Sequence, residues 1–306
     1  ALPRAGNSRG SAGKIMIIAT HDFDFHTDDV FAIALLKLIY PDATIVRTRD
    51  ITLLKKADMR VDVGRVYNPA SGDFDHHQRE FTLVRNNSIP YASAGLIWKH
   101  FGMNLVPSES VFHSIDREII QPIDANDTGV SIYEAKIIQP YTLDKVIADF
   151  NPSWPSTDAS LYNLRFSEAV TLAQALIRFL IAKHEGLVKA QDIVRTLVKK
   201  CKSDYLVLDE YVPFKEVVIN ESSLLYVVYK GEELHKWYVR AVPSASNSFD
   251  VRKAFPLSWG GLANEDLARV TGVSDALFCH KKLFIAVAKT KGGAIKLVEL
   301  ALHHEK

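Results

Sequence analysis

The sequence predicts an α/β protein, with a parallel-sheet N-terminal domain followed by a smaller, mixed α/β C-terminal domain. Three observations carry this. Short apolar, β-branched runs alternate with helical patterns over the first hundred residues, which is the signature of a parallel sheet with crossover helices. A Pro- and Trp-bearing stretch, FNPSWPSTD (150–158), then interrupts the pattern, as an irregular connector does. A long helical run follows it, and beyond that the texture changes to strand-like segments separated by turns. A chain of 306 residues is long for one core and suggests two domains. The expected layout is a tail or transit remnant over 1–13, a first domain over 14–160, and a helical connector with the second domain over 161–306.

The elements follow in order. KIMIIAT (14–20) is apolar on both faces and reads as a buried strand. DDVFAIALLKLIY (28–40) reads as a helix, with Asp28 or Asp29 near its start and Pro41 after its end. ATIVRT (43–48) is a second strand, ITLLKKAD a short helix, and MRVDVG (59–64) a third strand closed by Gly64. Helical patterns occupy 92–102 and 110–124, and a long one spans 166–201. In the second half DYLVLD, FKEVVI, SLLYVVYK and KWYVRAV read as strands. LANEDLARVTG reads as a helix, DALFCH and KLFIAV as strands, and GAIKLVELAL as a final helix.

Composition excludes several classes. The apolar share of 47% and charged share of 24% are those of a globular chain. A net charge of +1 provides no bulk basic field for nucleic acid, so any such binding needs a local patch. Cys201 and Cys279 form neither a disulfide framework nor a thiolate zinc site, which favours a reducing compartment. No apolar run approaches the roughly 20 residues of a membrane span. The first residues, ALPRAGNSRGSAGK, are basic, Ser/Gly-rich and free of acids, as in the remnant of a mitochondrial transit segment or in a plain tail.

In parallel α/β sheets ligands bind at the carboxyl ends of strands, and polar residues gather there. His21, His26 and Asp28 follow the first strand, Asp62 ends the third, and DFDHHQREF (73–81) adds Asp75, His76 and His77. Asp124 ends an apolar helical run. Each piece has a plainer reading: paired aspartates before an apolar run are often caps, the role expected of Asp29. An Asp inside VDVG is unusual, because a buried carboxylate needs a partner or a metal. The other histidines, His100, His113, His184, His235, His303 and His304, read as solvated or structural. Imidazoles with carboxylates and no thiolates suit Mn²⁺, Mg²⁺, Fe²⁺ or Zn²⁺. These residues exceed the needs of one ion and suit a pair, about 3.5–4 Å apart, as used for in-line attack on phosphorus. A phosphate-ester hydrolase follows, with amide or sugar substrates left open.

The motifs THDFDFHTDDV, VDVG, DHHQREF, SAGLIWKHFG, DANDTGVS, FNPSW, SWGGL, FCHKKLFI and the terminal GGA, in this order, resemble the MYG1 (UPF0160) family of the DHH phosphoesterase superfamily from Lys14 onward. The resemblance implies a DHH-type domain, a C-terminal domain and catalysis in the cleft between them. It implies two divalent ions, Mn²⁺ foremost with Mg²⁺ or others open, held by His21, His26, Asp28, Asp62, His76 and Asp124. Asp75 would orient a histidine, and His77 would contact the scissile phosphate or act as general acid. Arg79 is a candidate phosphate clamp, with a surface salt bridge as its alternative, and His280 could reach substrate from the second domain or have no role. The implied activity is 3′–5′ exonuclease action on RNA, in mitochondria and the nucleus. Hydrolysis of pyrophosphate, polyphosphate or small nucleotides is the alternative, and a non-catalytic metal-binding, RNA-associated module the third reading. Arg49, Arg79, Arg165, Arg252 and Lys253 are candidates for a basic groove. The oligomeric state stays open, a homodimer included. Two departures from the family stand out: Asp22, Phe23 and Asp24 replace small polar residues or glycine, and Ala286 and Val287 replace a glycine pair.

Overall fold

The computed structural model describes residues 15–231, 236–246, 248 and 250–304. The N-terminal stretch read as a tail or transit remnant (1–13) lies outside the described residues, as does His235. The chain forms two compact units, one ending at Glu185 and the other starting at Gly186. That division lies beyond the 160/161 boundary read from the sequence.

In the first unit the elements are β1 (Ile17–Thr20), α1 (Thr27–Ile39), β2 (Thr44–Arg47), α2 (Ile51–Leu54), β3 (Met59–Val61), β4 (Tyr67–Asn68) and β5 (Asp73–Phe74). They are followed by α3 (Ser93–Phe101), α4 (Glu109–Ile115), α5 (Gln121–Asp127), α6 (Leu143–Ala148) and α7 (Ala159–Lys200), inside which the division between units falls. The sheet order is β2-β1-β3-β5-β4. β1 is parallel to β2 and β3, β3 is parallel to β5, and only the two-residue β4 runs antiparallel, at the edge. The predicted parallel sheet is therefore present, with an antiparallel border. Helix α1 is apolar nearly all round, and its residues 27–36 are all buried. It packs against α3 and α5. Phe31, Ile33, Leu35, Leu36, Leu96, Ile97 and Trp98 form this core with Ile18, Met59 and Phe74 of the sheet, each contributing about 1.5–3 kcal/mol by burial. The expected helix over 110–124 is α4 and α5 joined through a π-helical turn at Asp116–Ile120, and it runs on to Asp127.

The second unit contains β6 (Tyr205–Leu208), α8 (Lys215–Glu221), β7 (Tyr226–Lys230), β8 (Trp237–Ala241), α9 (Asn264–Thr271), β9 (Ala276–Cys279), β10 (Ile285–Ala288) and α10 (Lys291–His303). Its sheet order is β6-β7-β8-β10-β9, with only β6 and β7 parallel. Both faces of the sheet are covered. Tyr226 and Val228 join one core with Leu297 and Val298 of α10, while Val227 and Tyr229 join another with Val217 and Val218 of α8. This alternation is the period of two expected along a strand. One expectation fails here: FKEVVI is helix α8, not a strand. Its apolar residues Phe214, Val217 and Val218 stand at i, i+3 and i+4, a helical spacing, and all three are buried.

Candidate metal centre

Three neighbouring strands deliver the site. β1, β3 and β5 lie side by side and run parallel, so the residues after their carboxyl ends meet at one rim. These residues are His21 after Thr20, Asp62 after Val61, and Asp75, His76 and His77 after Phe74. Asp62 takes a left-handed backbone with φ +56°, a region that Asp tolerates better than most residues. Gly64 and Arg65 are also left-handed. The tight loop they make is tied back by the Arg65 N–H, which donates to Asp75 Oδ2 at 2.6 Å. Across the rim lies the start of α1. There the His26 N–H donates to Asp29 Oδ1 at 2.8 Å, one arm of a capping box.

Among the described residues the donor atoms fall into three groups, each with all its atoms within 4.8 Å of one another: His21, His26, Asp29 and Asp62; Asp62, Asp75, His76 and His77; and Asp28, His76 and Asp127. Asp62 belongs to two groups and uses both oxygens. Oδ2 lies 3.4 Å from His21 Nε2, while Oδ1 lies 3.4 Å from His77 Nδ1 and 3.7 Å from His76 Nδ1. His76 Nε2 meets Asp127 Oδ2 at 2.9 Å. His77 Nδ1 meets Asp75 Oδ1 at 2.8 Å, and the His77 N–H donates to the same oxygen at 3.0 Å. The N-terminus of α3 ties the set together. Asp28 accepts the N–H groups of Ser93 and Ala94 at 2.9 and 2.7 Å, and the Ser93 hydroxyl sits 3.2 Å from both Asp62 Oδ1 and His76 Nδ1.

Burial sets the electrostatics. It pushes the Asp28 carboxyl well above the usual range, helped by the charges of Asp127, Asp62 and Asp124. Burial also takes Asp29 to about 7, against the pull of His21. Asp62 feels the same burial, but His21, His76 and His77 around it overcome that and hold it below the usual range. Three buried atoms, His21 Nε2, Asp29 Oδ2 and Asp62 Oδ2, have no hydrogen-bond partner, although His21 Nε2 faces Asp29 Oδ2 at 3.3 Å and Asp62 Oδ2 at 3.4 Å. Buried polar atoms left in this way are costly. A divalent cation among them would satisfy all three, and the imidazole and carboxylate donors suit Mn²⁺, Mg²⁺, Fe²⁺ or Zn²⁺. The residues present therefore fit a metal.

The sequence candidates separate in the structure. His21, His26, Asp28, Asp62, Asp75, His76 and His77 all enter the donor groups. Asp124 does not: it is fully buried, is held by Arg85, and accepts the Gly95 N–H at 2.9 Å. The carboxylate of this helix that reaches His76 is Asp127, three residues on, which the sequence reading passed over. Asp29, expected to be a cap, both caps α1 and faces His21. Asp22 pairs with Arg49, and neither Asp22 nor Asp24 joins a donor group. A cleft of about 440 Å³ opens over the centre, with Arg49, Arg65 and His77 in its wall. Arg79 is exposed and is not part of that wall. Arg165 pairs with Glu168 on the surface. Arg252 and Lys253 are spent on backbone carbonyls of the second unit.

His280 turns the β9–β10 hairpin, its ring 4.5 Å from that of Phe284 and its Nδ1 accepting the Lys282 N–H. Ala286 and Val287 lie inside β10, paired to β8 on one side and β9 on the other. Their backbone is therefore engaged in the sheet.

A model of the uncharacterised protein family UPF0160 matches residues 17–302. The chain belongs to the MYG1 family. It is 31% identical to the MYG1 exonuclease of Mus musculus over 93% of this chain and 84% of that one. With the MYG1 exonuclease of Homo sapiens it shares 30% over 95% and 88%. With a MYG1 protein of Schizosaccharomyces pombe it shares 30% over 94% and 98%. The matched MYG1 region takes in every donor residue described above.

Proposed function

We propose that this chain is a two-metal phosphodiesterase of the DHH type that removes nucleotides from the 3′ end of RNA. The observation that carries the reading is Asp62, one carboxylate shared between two donor groups with an oxygen turned to each. The exonuclease names of the mouse and human relatives support nucleic acid as the substrate.

His21, His26, Asp29 and Asp62 would hold one ion, and Asp62 and His76, with Asp28 and Asp127 beside them, the other. When bound, such a pair supplies a water acidic enough to attack phosphorus and neutralises the charge that develops there. The chain's own side chains do the rest. Ser93 and the α3 N-terminus fix Asp28, Asp62 and His76. Arg49 and Arg65 line the cleft where phosphate oxygens would lie, and guanidinium groups suit them. Asp75 grips His77 through Nδ1, so Nε2 is the nitrogen left to give a proton to the leaving oxygen.

The test offers end-labelled RNA, DNA and pyrophosphate to the purified chain with Mn²⁺ or Mg²⁺, beside Asp62→Asn and His76→Ala. Stepwise shortening of RNA from the 3′ end, falling by more than about 100-fold in either variant, is the expected result. Activity that survives both substitutions contradicts the assignment, and cleavage of pyrophosphate without RNA replaces the substrate.

A further inference from the structure

The first unit holds another cavity, apart from the cleft over the metal centre. It has a volume of about 710 Å³ and lies between α5, the start of α1, the start of α6 and the 129–139 segment, a size ordinary for a small-ligand site. Thr27 and Thr142 line it, and both hydroxyls are buried without a hydrogen-bond partner. Thr27 is only 4% exposed. Apolar walls from Ile119, Ile123 and Leu143 stand beside the amides of Asn126 and Gln139 and the ring of Tyr133. A flat, partly apolar group with several hydrogen-bonding edges fits that lining.

Charge narrows the ligand. Glu118, Glu134 and Asp144 line the pocket, and among the described residues no lysine, arginine or histidine does. Glu118 is balanced from outside the lining by Lys183 and His184. Such a wall repels a phosphate group, whereas carboxylates accept hydrogen bonds from hydroxyls readily. Position narrows it further. Thr27 directly precedes Asp28 and Asn126 directly precedes Asp127, so the pocket wall continues, about 3.8 Å per residue, into two carboxylates of one donor group.

We propose that this pocket seats the terminal nucleoside of the strand, recognised by its base and by a free 2′,3′-diol, and that it rejects ends bearing a terminal phosphate. This rests on the exonuclease reading above and supplies its polarity. Water adds to the phosphorus that joins the last two nucleosides, and the bond to the 3′ oxygen of the penultimate ribose breaks. That oxygen takes a proton, and a nucleoside 5′-monophosphate leaves. The shortened strand again ends in a diol, the same chemistry the pocket accepts.

The test uses the metal-loaded full chain in two arms. In the first, adenosine, uridine and their 3′-monophosphates are titrated by calorimetry against the chain and against Thr142→Val. The nucleosides bind, the 3′-monophosphates bind at least about tenfold more weakly, and Thr142→Val loses about tenfold in nucleoside affinity, as one neutral hydrogen bond brings, with its metal content unchanged. In the second arm, RNA ending in a 3′-phosphate is cut at least about tenfold more slowly than RNA ending in a 3′-hydroxyl. Nucleosides that do not bind, or bind Thr142→Val equally well, overturn the pocket, as do equal rates on the two RNA ends. RNA cleavage with no nucleoside binding removes the pocket and leaves the nuclease. Thr142-dependent nucleoside binding with no cleavage of any RNA removes the nuclease and leaves the pocket.

Discussion

Ser93 touches three candidate ligands at once. Its N–H binds Asp28 and its hydroxyl lies against Asp62 and His76, although it would not itself meet an ion. Ser93→Ala keeps the small size that this buried position demands and removes only the hydroxyl. Calorimetric titration should show the same number of ions bound with affinity about 10–100-fold lower; unchanged affinity would mean that the hydroxyl only fills space. Asp124 and Asp127 make a second residue-scale contrast. Asp127→Asn should lose an ion with little loss of stability. Asp124→Asn should keep the ions and cost about 1–3 kcal/mol in denaturant unfolding, because it strips the buried Arg85 of one of its two carboxylate partners and leaves it only Asp116. The reverse pattern would restore Asp124 as the ligand. The two aspartates were not separable from the string DAND, since residues three apart share a helix face. What separates them is Arg85, which is distant in sequence. Gly95 belongs to the same arrangement: a Cβ there would sit 1.9 Å from Asp124 Oδ2.

At the scale of elements, local pattern was a good guide wherever it carried a clear period. β1, α1, β2 and β3 stand where the alternation of short strands and helices places them, because each is an apolar run and the ends carry Asp, Pro or Gly signals. Two failures have physical causes. FKEVVI contains two adjacent valines that favour strands intrinsically, but packing against the sheet selected the helical face. β4 and β5 are two residues each, too short for any period to show, yet β5 sets the position of the DHH residues. Helix α1 carries the site on one end and the core on its body, so the two should respond separately. Leu35→Ala should destabilise the protein by about 2–5 kcal/mol in denaturant unfolding, without changing the number of ions bound at saturating metal. A cost under about 1 kcal/mol would contradict the packing described for this helix.

For the whole molecule, the rule that ligands gather beyond the carboxyl ends of parallel strands picked out His21 and Asp62 as candidates from sequence alone, because both stand at the end of an apolar strand. The Asp75–His77 run was a candidate by its composition after a turn-rich segment. Which strands are neighbours was not legible, and it is the β1-β3-β5 adjacency that turns a scattered list into one cluster. That cluster buries Asp28, Asp29 and Asp62 together, so cations should stabilise the fold by binding it. At a metal concentration about 100 times Kd the gain is about 2.7 kcal/mol. Removing metal with a chelator should lower the melting temperature, and adding Mn²⁺ back should restore it; a melting temperature indifferent to both would place no ion at these carboxylates.

The shared role of Asp62 is the centre of the account, and counting ions tests it most directly. Mn²⁺ titration of the chelated, repurified chain, followed by electron paramagnetic resonance, should show two ions per chain with the spectrum of a spin-coupled pair, and Asp62→Asn should abolish the coupling. One ion per chain, or two uncoupled ions unaffected by Asp62→Asn, would contradict it.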